Sequence, residues 1–276
     1  EIMPSLVGSE MCIRDRCVAV ELLREWPHWT GSQSGTADQW FSHTGILQLL
    51  RGALKLPTDM LLYDVLKAAI PQNVAEFTRP IQSWVPGVTP ISTTPAVITA
   101  SLTYLVVVLG GQYLMRSLPA VPSKYVRLPF FLHNVLLSLG SLVLLVLYLE
   151  RMLPFMLRFG IHNSVCLREV HSPEMEFLHI VNYYFKYWEL LDTVFLVLKK
   201  KPLLFLHVYH HMATAALCYT QILGRTPIAW AVISLNLAVH VIMYGYYALS
   251  SLGIRCPWKK LITTSQIVQF VIDLFI

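Results

Sequence analysis

From about residue 95 onward the chain is a succession of apolar runs, each close to the roughly 20 residues that cross the hydrocarbon core of a bilayer. Six can be drawn, at roughly 95–115, 130–149, 178–198, 203–222, 228–250 and 259–276. In hydrocarbon a backbone N–H or C=O has no water to bond, so a single spanning segment must satisfy its own groups as a helix. The class that follows is all-α and polytopic, a membrane protein with six spans present. Composition agrees: 55% of residues are hydrophobic and 13% are Lys, Arg, Asp or Glu, about half the roughly 25% of a soluble domain. The net charge of +5 does not point to nucleic acid, because the cations sit in short clusters between apolar runs and form no basic face interleaved with aromatics. The cysteines Cys12, Cys17, Cys166, Cys218 and Cys256 show no paired spacing, so they suggest neither a zinc site nor a disulfide framework.

The two ends are read separately. Residues 1–16, EIMPSLVGSEMCIRDR, have neither an initiating Met nor the apolar core of a signal peptide, and are read as adapter or cloning sequence. Residues 17–90 are mixed. Helical spacing shows in ILQLLRGALKL and MLLYDVLKAAI, separated by Gly, Ser, Thr and Pro, which suits a lumenal or interfacial extension. Residues 91–276 hold the transmembrane domain. The chain stops inside the apolar run IVQFVIDLFI, so a fragment of a longer protein is expected.

Loop charge sets the expected orientation. Arg116, Lys124, Arg127, Lys199, Lys200, Lys201, Arg255, Lys259 and Lys260 lie in the first, third and fifth loops, whereas the second and fourth carry Arg151, Arg158, Arg168 and Arg225. The positive-inside rule places the odd loops in the cytosol and the chain before the first span on the other side.

An ionisable group at the bilayer centre costs at least about 2.5 kcal/mol, so such groups are functional candidates. The third run holds Lys186, Glu189 and Asp192 at steps of three, with Thr193 one turn beyond Glu189, so neighbours share a helical face. One Lys against two carboxylates leaves a negative charge to be met. The fourth run supplies His207, His210 and His211, again at spacings of three and four. The fifth adds Asn236, His240 and Tyr244; the sixth Thr263, Gln266 and Gln269; the second His133, Asn134, Ser138 and Ser141. At about 1.5 Å per residue from the expected cytosolic loops, most of these fall 6–15 Å deep, so one polar layer in the cytosolic half is expected. A chamber shared by several helices would satisfy groups that lipid cannot.

Imidazole near neutral pH is both a nucleophile and a general base, which suits acyl transfer. The HxxHH spacing also occurs in histidine boxes that hold two irons. Only His133, His207, His210, His211 and His240 reach the layer, too few for such a centre, and no metal is expected.

The boxes HNVLLSLGS (133–141), KYWELLDT (186–193), HVYHH (207–211), HVIMY (240–244) and TTSQIVQF (263–270) resemble, in order and spacing, the signature motifs of the ELO family of membrane fatty acid elongases. The likeness runs from about Val85 to Ile276. The resemblance implies an endoplasmic reticulum enzyme, a 3-oxoacyl-CoA synthase that condenses a long-chain acyl-CoA with malonyl-CoA and releases CO2 and CoA. It implies seven spans, six of them in a helical barrel around an acyl-CoA tunnel, of which this chain lacks the last. It also implies a histidine-bound acyl intermediate, assigned to His210 with His240 as second candidate. Lys186, His207, His211 and Asn236 are then candidates for polarising thioester oxygens, and Glu189 and Asp192 for orienting imidazoles. Asn134, Tyr244, Gln266 and Gln269 complete the expected substrate-binding set. No cofactor is implied beyond the two CoA substrates, and the reductases and dehydratase of an elongation cycle are expected partners, with the bilayer.

The alternatives are a proton-coupled transporter or a histidine-box metal oxidoreductase. The first also places Lys, Asp, Glu and His at mid-depth, but is expected to show internal repeats and helices broken by Gly or Pro, which the third to fifth runs lack. The topology makes the first testable prediction: an N-glycosylation acceptor inserted within 172–176 is expected to be modified, and the same acceptor at position 200 to stay unmodified. Modification at 200 instead would invert the map.

Overall fold

The computed structural model describes residues 62–166, 171–254 and 256–275, and every structural statement below concerns these. The stretch 1–16, the ILQLLRGALKL segment, and the side chains of Cys12, Cys17 and Cys166 lie outside them. The described residues form helices α1 (Leu62–Ala69), α2 (Gln72–Phe77), a 3-10 turn (Arg79–Ile81), α3 (Thr94–Leu114), α4 (Ser123–Cys166), α5 (Pro173–Glu189), α6 (Leu191–Leu198), α7 (Phe205–Leu223), α8 (Ala229–Ser251) and α9 (Lys259–Phe275), with no strand among them.

Boundaries follow local chemistry. Pro95 lies at the start of α3 and Pro173 opens α5, where a missing N–H costs nothing. Ser172 caps α5 by accepting the N–H of Met175 at 3.3 Å. The long α4 is interrupted at Gly160, whose φ of 77° is open to glycine but costly for other residues. The expected third span is not one helix: its hydrogen-bonding pattern breaks at Leu190, between α5 and α6.

Three helices are long and apolar enough to cross a membrane by length and composition, namely α3, the Ser123–Leu157 part of α4, and α8. Their faces fit that reading: Val106 and Tyr113 of α3 are 72% and 73% exposed, apolar surface that a bilayer would cover. The chain is thus an all-α, multi-pass membrane protein. The other expected runs correspond to α5 with α6, to α7 and to α9, helices that carry the polar boxes.

The main packing is of α4 against α8, joined by α5 against α7 and by α9 against α8. An apolar cluster of Leu144, Tyr148, Met175, Leu178, Trp230 and Ile233 fills the half of the bundle remote from the lysine-rich loops. Gly140 admits the ring of Phe185, which lies 2.5 Å from where a Cβ would be, so α4 and α5 approach closely there. At the lysine-rich end Arg127 of α4 donates to Ser251 O and Leu252 O, the orphan carbonyls that close α8, and Lys200 donates to Leu118 O at 2.7 Å.

Residues 62–92 are strapped across the opposite end. Buried Glu150 of α4 accepts the N–H groups of Leu62 at 2.6 Å and Tyr63 at 3.1 Å, so a carboxylate 88 residues away caps α1. Arg151 lies over the Tyr63 ring at 4.8 Å. Glu176 of α5 accepts the N–H of Trp84 at 2.7 Å, while Tyr184 and Tyr183 donate to Pro90 O and Ile91 O. The described part of MLLYDVLKAAI, from Leu62 on, is therefore a helix, α1, docked on the bundle.

Hydrogen bonds to a charged group contribute about 1.5–3 kcal/mol each. Glu150→Ala is therefore expected to speed tryptic cleavage at exposed Lys67 and Arg79 at least about tenfold, since 1.4 kcal/mol is a factor of ten. Unchanged cleavage would mean that apolar packing of Tyr63 and Trp84 alone holds the strap.

Candidate active site

The last turn of α5 and the first of α6 hold the three ionisable residues of the KYWELLDT box, and they meet side chains of α4 and α8. Lys186 and Glu189 are 4% and 3% exposed. The Lys186 ammonium donates to Glu189 Oε1 at 2.9 Å and Oε2 at 3.3 Å, and to Asn236 Oδ1 of α8 at 2.7 Å. His240 Nδ1, one turn further along α8, lies 3.3 Å from Glu189 Oε1. A lysine and an imidazole from two helices thus converge on one buried carboxylate.

Asp192 has its own set. Its Oδ1 is 2.8 Å from His133 Nε2 of α4 and its Oδ2 accepts the Tyr244 hydroxyl of α8 at 2.7 Å. An ionised carboxylate can only accept, so His133 carries its proton on Nε2 and its buried Nδ1 has no partner among the described residues. Trp188 stacks nearly parallel to the His133 ring at 6.4 Å. The surplus carboxylate is therefore met by His133 and Tyr244, where the sequence pointed to the HxxHH stripe.

Thr193, fully buried, faces the histidine box. Its Oγ1 is 3.1 Å from His207 Nε2 on α7 and 2.8 Å from the Tyr104 hydroxyl on α3. The three imidazoles on α7 are not equivalent. His211 is buried, its ring 4.4 Å from that of His207 and 5.8 Å from that of His210, and its Nδ1 has no partner among the described residues. His207 is half-buried. His210 is exposed, and no side-chain hydrogen bond holds it among the described residues.

Of the expected site residues, His133, Lys186, Glu189, Asp192, Asn236, His240 and Tyr244 are joined by direct polar contacts, and His207 and His211 pack beside them. Asn134 is buried next to His133, donating to Phe130 O while its Oδ1 has no partner. Gln266 and Gln269 are not drawn into the cluster. Gln266 donates to Met243 Sδ at 3.2 Å and Gln269 to Asp273 Oδ2 at 3.0 Å, because α9 packs along α8 alone in the main contacts. Cys218 lies two turns from His211, buried, with Asn182 Nδ2 3.6 Å from its sulfur. Tyr104 and Trp188 were missed, the first because a tyrosine inside an apolar run carries no spacing signal.

Among the described residues the Lys186 ammonium bonds to Glu189 and Asn236, so it serves first as counter-ion. Lys186→Met is expected to strand a buried carboxylate at a cost of about 3–5 kcal/mol, seen as lost protein on a blot as well as lost activity. Normal abundance without activity would show instead that His240 suffices to hold Glu189 and that the lysine serves chemistry.

Comparison with known proteins closes on the same boxes. A family model described as the GNS1/SUR4 family, ELO, matches residues 89–276. "Putative fatty acid elongase 1" of Schizosaccharomyces pombe is 47% identical over 74% of this chain and 59% of its own length. "Putative fatty acid elongase 2" of the same yeast is 37% identical over 90% of this chain and 66% of its own length. "Fatty acid elongase A" of Dictyostelium discoideum is 36% identical over 73% of this chain and 75% of its length. The chain thus spans about three-fifths to two-thirds of the two yeast relatives it matches. With five boxes in order, most of them meeting at one buried charge cluster, and a family match over more than half its length, this chain belongs to the ELO family.

Proposed function

We propose that this chain is the greater part of a fatty acid elongase of the endoplasmic reticulum membrane, which condenses a long-chain acyl-CoA with malonyl-CoA to 3-oxoacyl-CoA, CO2 and CoA. The observation that carries the mechanism is the contrast among the imidazoles. His207 is held by Thr193, His240 faces Glu189, His133 is bonded to Asp192, and His211 is buried, whereas His210 is exposed and uncommitted. A nucleophile needs a free lone pair and room for its substrate. His210 attacks the thioester carbonyl, the C–S bond breaks, and CoA leaves as the thiol with the imidazole's proton. Malonyl-CoA then enters and loses CO2. Its carbanion attacks the acyl carbon, the C–N bond to the imidazole breaks, and the departing imidazole takes a proton from water, which regenerates His210 and gives the 3-oxoacyl-CoA.

The surrounding residues suit this course. His207 and His211 flank the acyl imidazole and can hold its tautomer. Lys186 and Asn236 keep positive and dipolar groups near developing oxyanions, and Glu189 and Asp192 fix His240 and His133. No cofactor is required, because both substrates arrive activated as thioesters. The lysine-rich loops suit the phosphates of CoA, and the product calls for the reductases and dehydratase that complete a two-carbon extension.

Microsomes supplied with malonyl-CoA and labelled acyl-CoA are expected to form a product two carbons longer; none would sink the reading. In the full-length protein His210→Ala is expected to abolish condensation and also the acyl-CoA-dependent release of CoA before malonyl-CoA is added. Cys218→Ala is expected to retain most activity, because its thiol is buried about 10 Å deeper than the histidine box and has no adjacent base. CoA release that survives His210→Ala but vanishes in Cys218→Ala or His240→Ala would move the nucleophile to that residue.

A further inference from the structure

Tyr104 lies on α3, a helix that contributes to none of the five boxes. Its ring is 6% exposed and borders a lateral groove lined by Ala100, Thr103, Val107, Leu191 and Val194. Its hydroxyl is 2.8 Å from Thr193 Oγ1, which in turn is 3.1 Å from His207 Nε2. The His207 ring then meets the His211 ring at 4.4 Å. A line of hydrogen bonds therefore runs from the outer helix to the histidine box through one buried threonine.

A hydroxyl has one hydrogen, so Thr193 can donate to only one of the two, and Thr193 is the polar partner of the Tyr104 hydroxyl among the described residues. If His207 donated from Nε2 to Thr193 and Thr193 to Tyr104, the phenolic hydrogen would be left facing a largely apolar groove. If Tyr104 donates, Thr193 is free to pass its hydrogen to His207 Nε2, and both hydroxyl hydrogens have acceptors. Phenol is also the more acidic hydroxyl, with a reference pKa of about 10. In the second arrangement Nε2 of His207 is an acceptor, its proton lies on Nδ1, and the ring is held in one orientation.

We propose that Tyr104 is a positioning residue: through Thr193 it fixes the tautomer and orientation of His207, and thereby the neighbourhood of His210, which makes the first span a working part of the site. The proposal rests on the reading of HxxHH as the reacting box, so its test includes a measurement that needs no turnover.

In the full-length protein in microsomes, Tyr104→Phe is expected to lower kcat about fivefold, the order of one neutral hydrogen bond, with KM for acyl-CoA within about twofold of the parent and unchanged abundance. Thr193→Val is expected to lower kcat further. The double variant Tyr104→Phe, Thr193→Val should be no worse than Thr193→Val alone, because the line is already cut. Thr193→Ser should restore activity. Independently, carbethoxylation of His207 by diethyl pyrocarbonate, located by mass spectrometry, is expected to quicken at least about threefold in both single variants as Nε2 is released. Additive losses in the double variant, or a Tyr104→Phe protein with parental kcat and parental His207 labelling, would overturn the proposal. If the parent makes no elongated product, the enzymatic reading fails and His207 labelling alone decides the role of Tyr104: quickened labelling upholds it, unchanged labelling ends it.

Discussion

A carboxylate buried among membrane helices has to be neutralised on the spot, and the arrangement around Glu189 follows from that need. Lys186 meets it from the same helix, His240 from α8, and Asn236 takes up the third contact of the ammonium. These contacts bind α5 to α8 at a fixed height and rotation. The neighbouring Asp192 repeats the scheme with His133 of α4 and Tyr244 of α8. Two charges, placed three residues apart, thereby pin α4, α5, α6 and α8 together where apolar packing alone has little direction.

The break at Leu190 lies between these two carboxylates. It lets α6 begin afresh, with Asp192 and Thr193 in its first turn, so that Glu189 meets α8 while Thr193 faces α3 and α7. One short sequence box serves four partner helices, α3, α4, α7 and α8, because it sits across a helix boundary. The same economy appears at the loops, where Arg127 closes backbone carbonyls that the end of α8 leaves open and Lys200 bonds Leu118 O in the turn after α3.

The Lys186–Glu189 pair was legible because a spacing of three fixes a shared face whatever the rest of the fold does. The membrane class was legible from apolar run length, and the comparisons agree with the family that the boxes suggested. The partner of Asp192 was not, since choosing among five histidines requires knowing which helices touch, and that is set by packing between distant segments. Grouping Gln266 and Gln269 by depth alone placed them in the layer, but depth says nothing about rotation, and α9 turns them to Met243 and Asp273. The strap was invisible because its caps, Glu150 and Glu176, lie 88 and 92 residues from the N–H groups they accept. Tyr104 left no trace because one hydroxyl in an apolar helix alters neither hydropathy nor period.

The helix α5 carries ties at both ends. Glu176 near its start, with Tyr183 and Tyr184 past its middle, grips the strap, and at its close Lys186 and Glu189 grip α8. Between them there is no loop to absorb a change. A helix advances by about 100° per residue, so one residue gained or lost between Tyr184 and Lys186 would turn one set of ties away from its partners. Substitution along this rod can be gradual, but its length cannot drift. A change of length is better borne at places such as the 199–204 connection, where a loop separates α6 from α7 and can take up the difference.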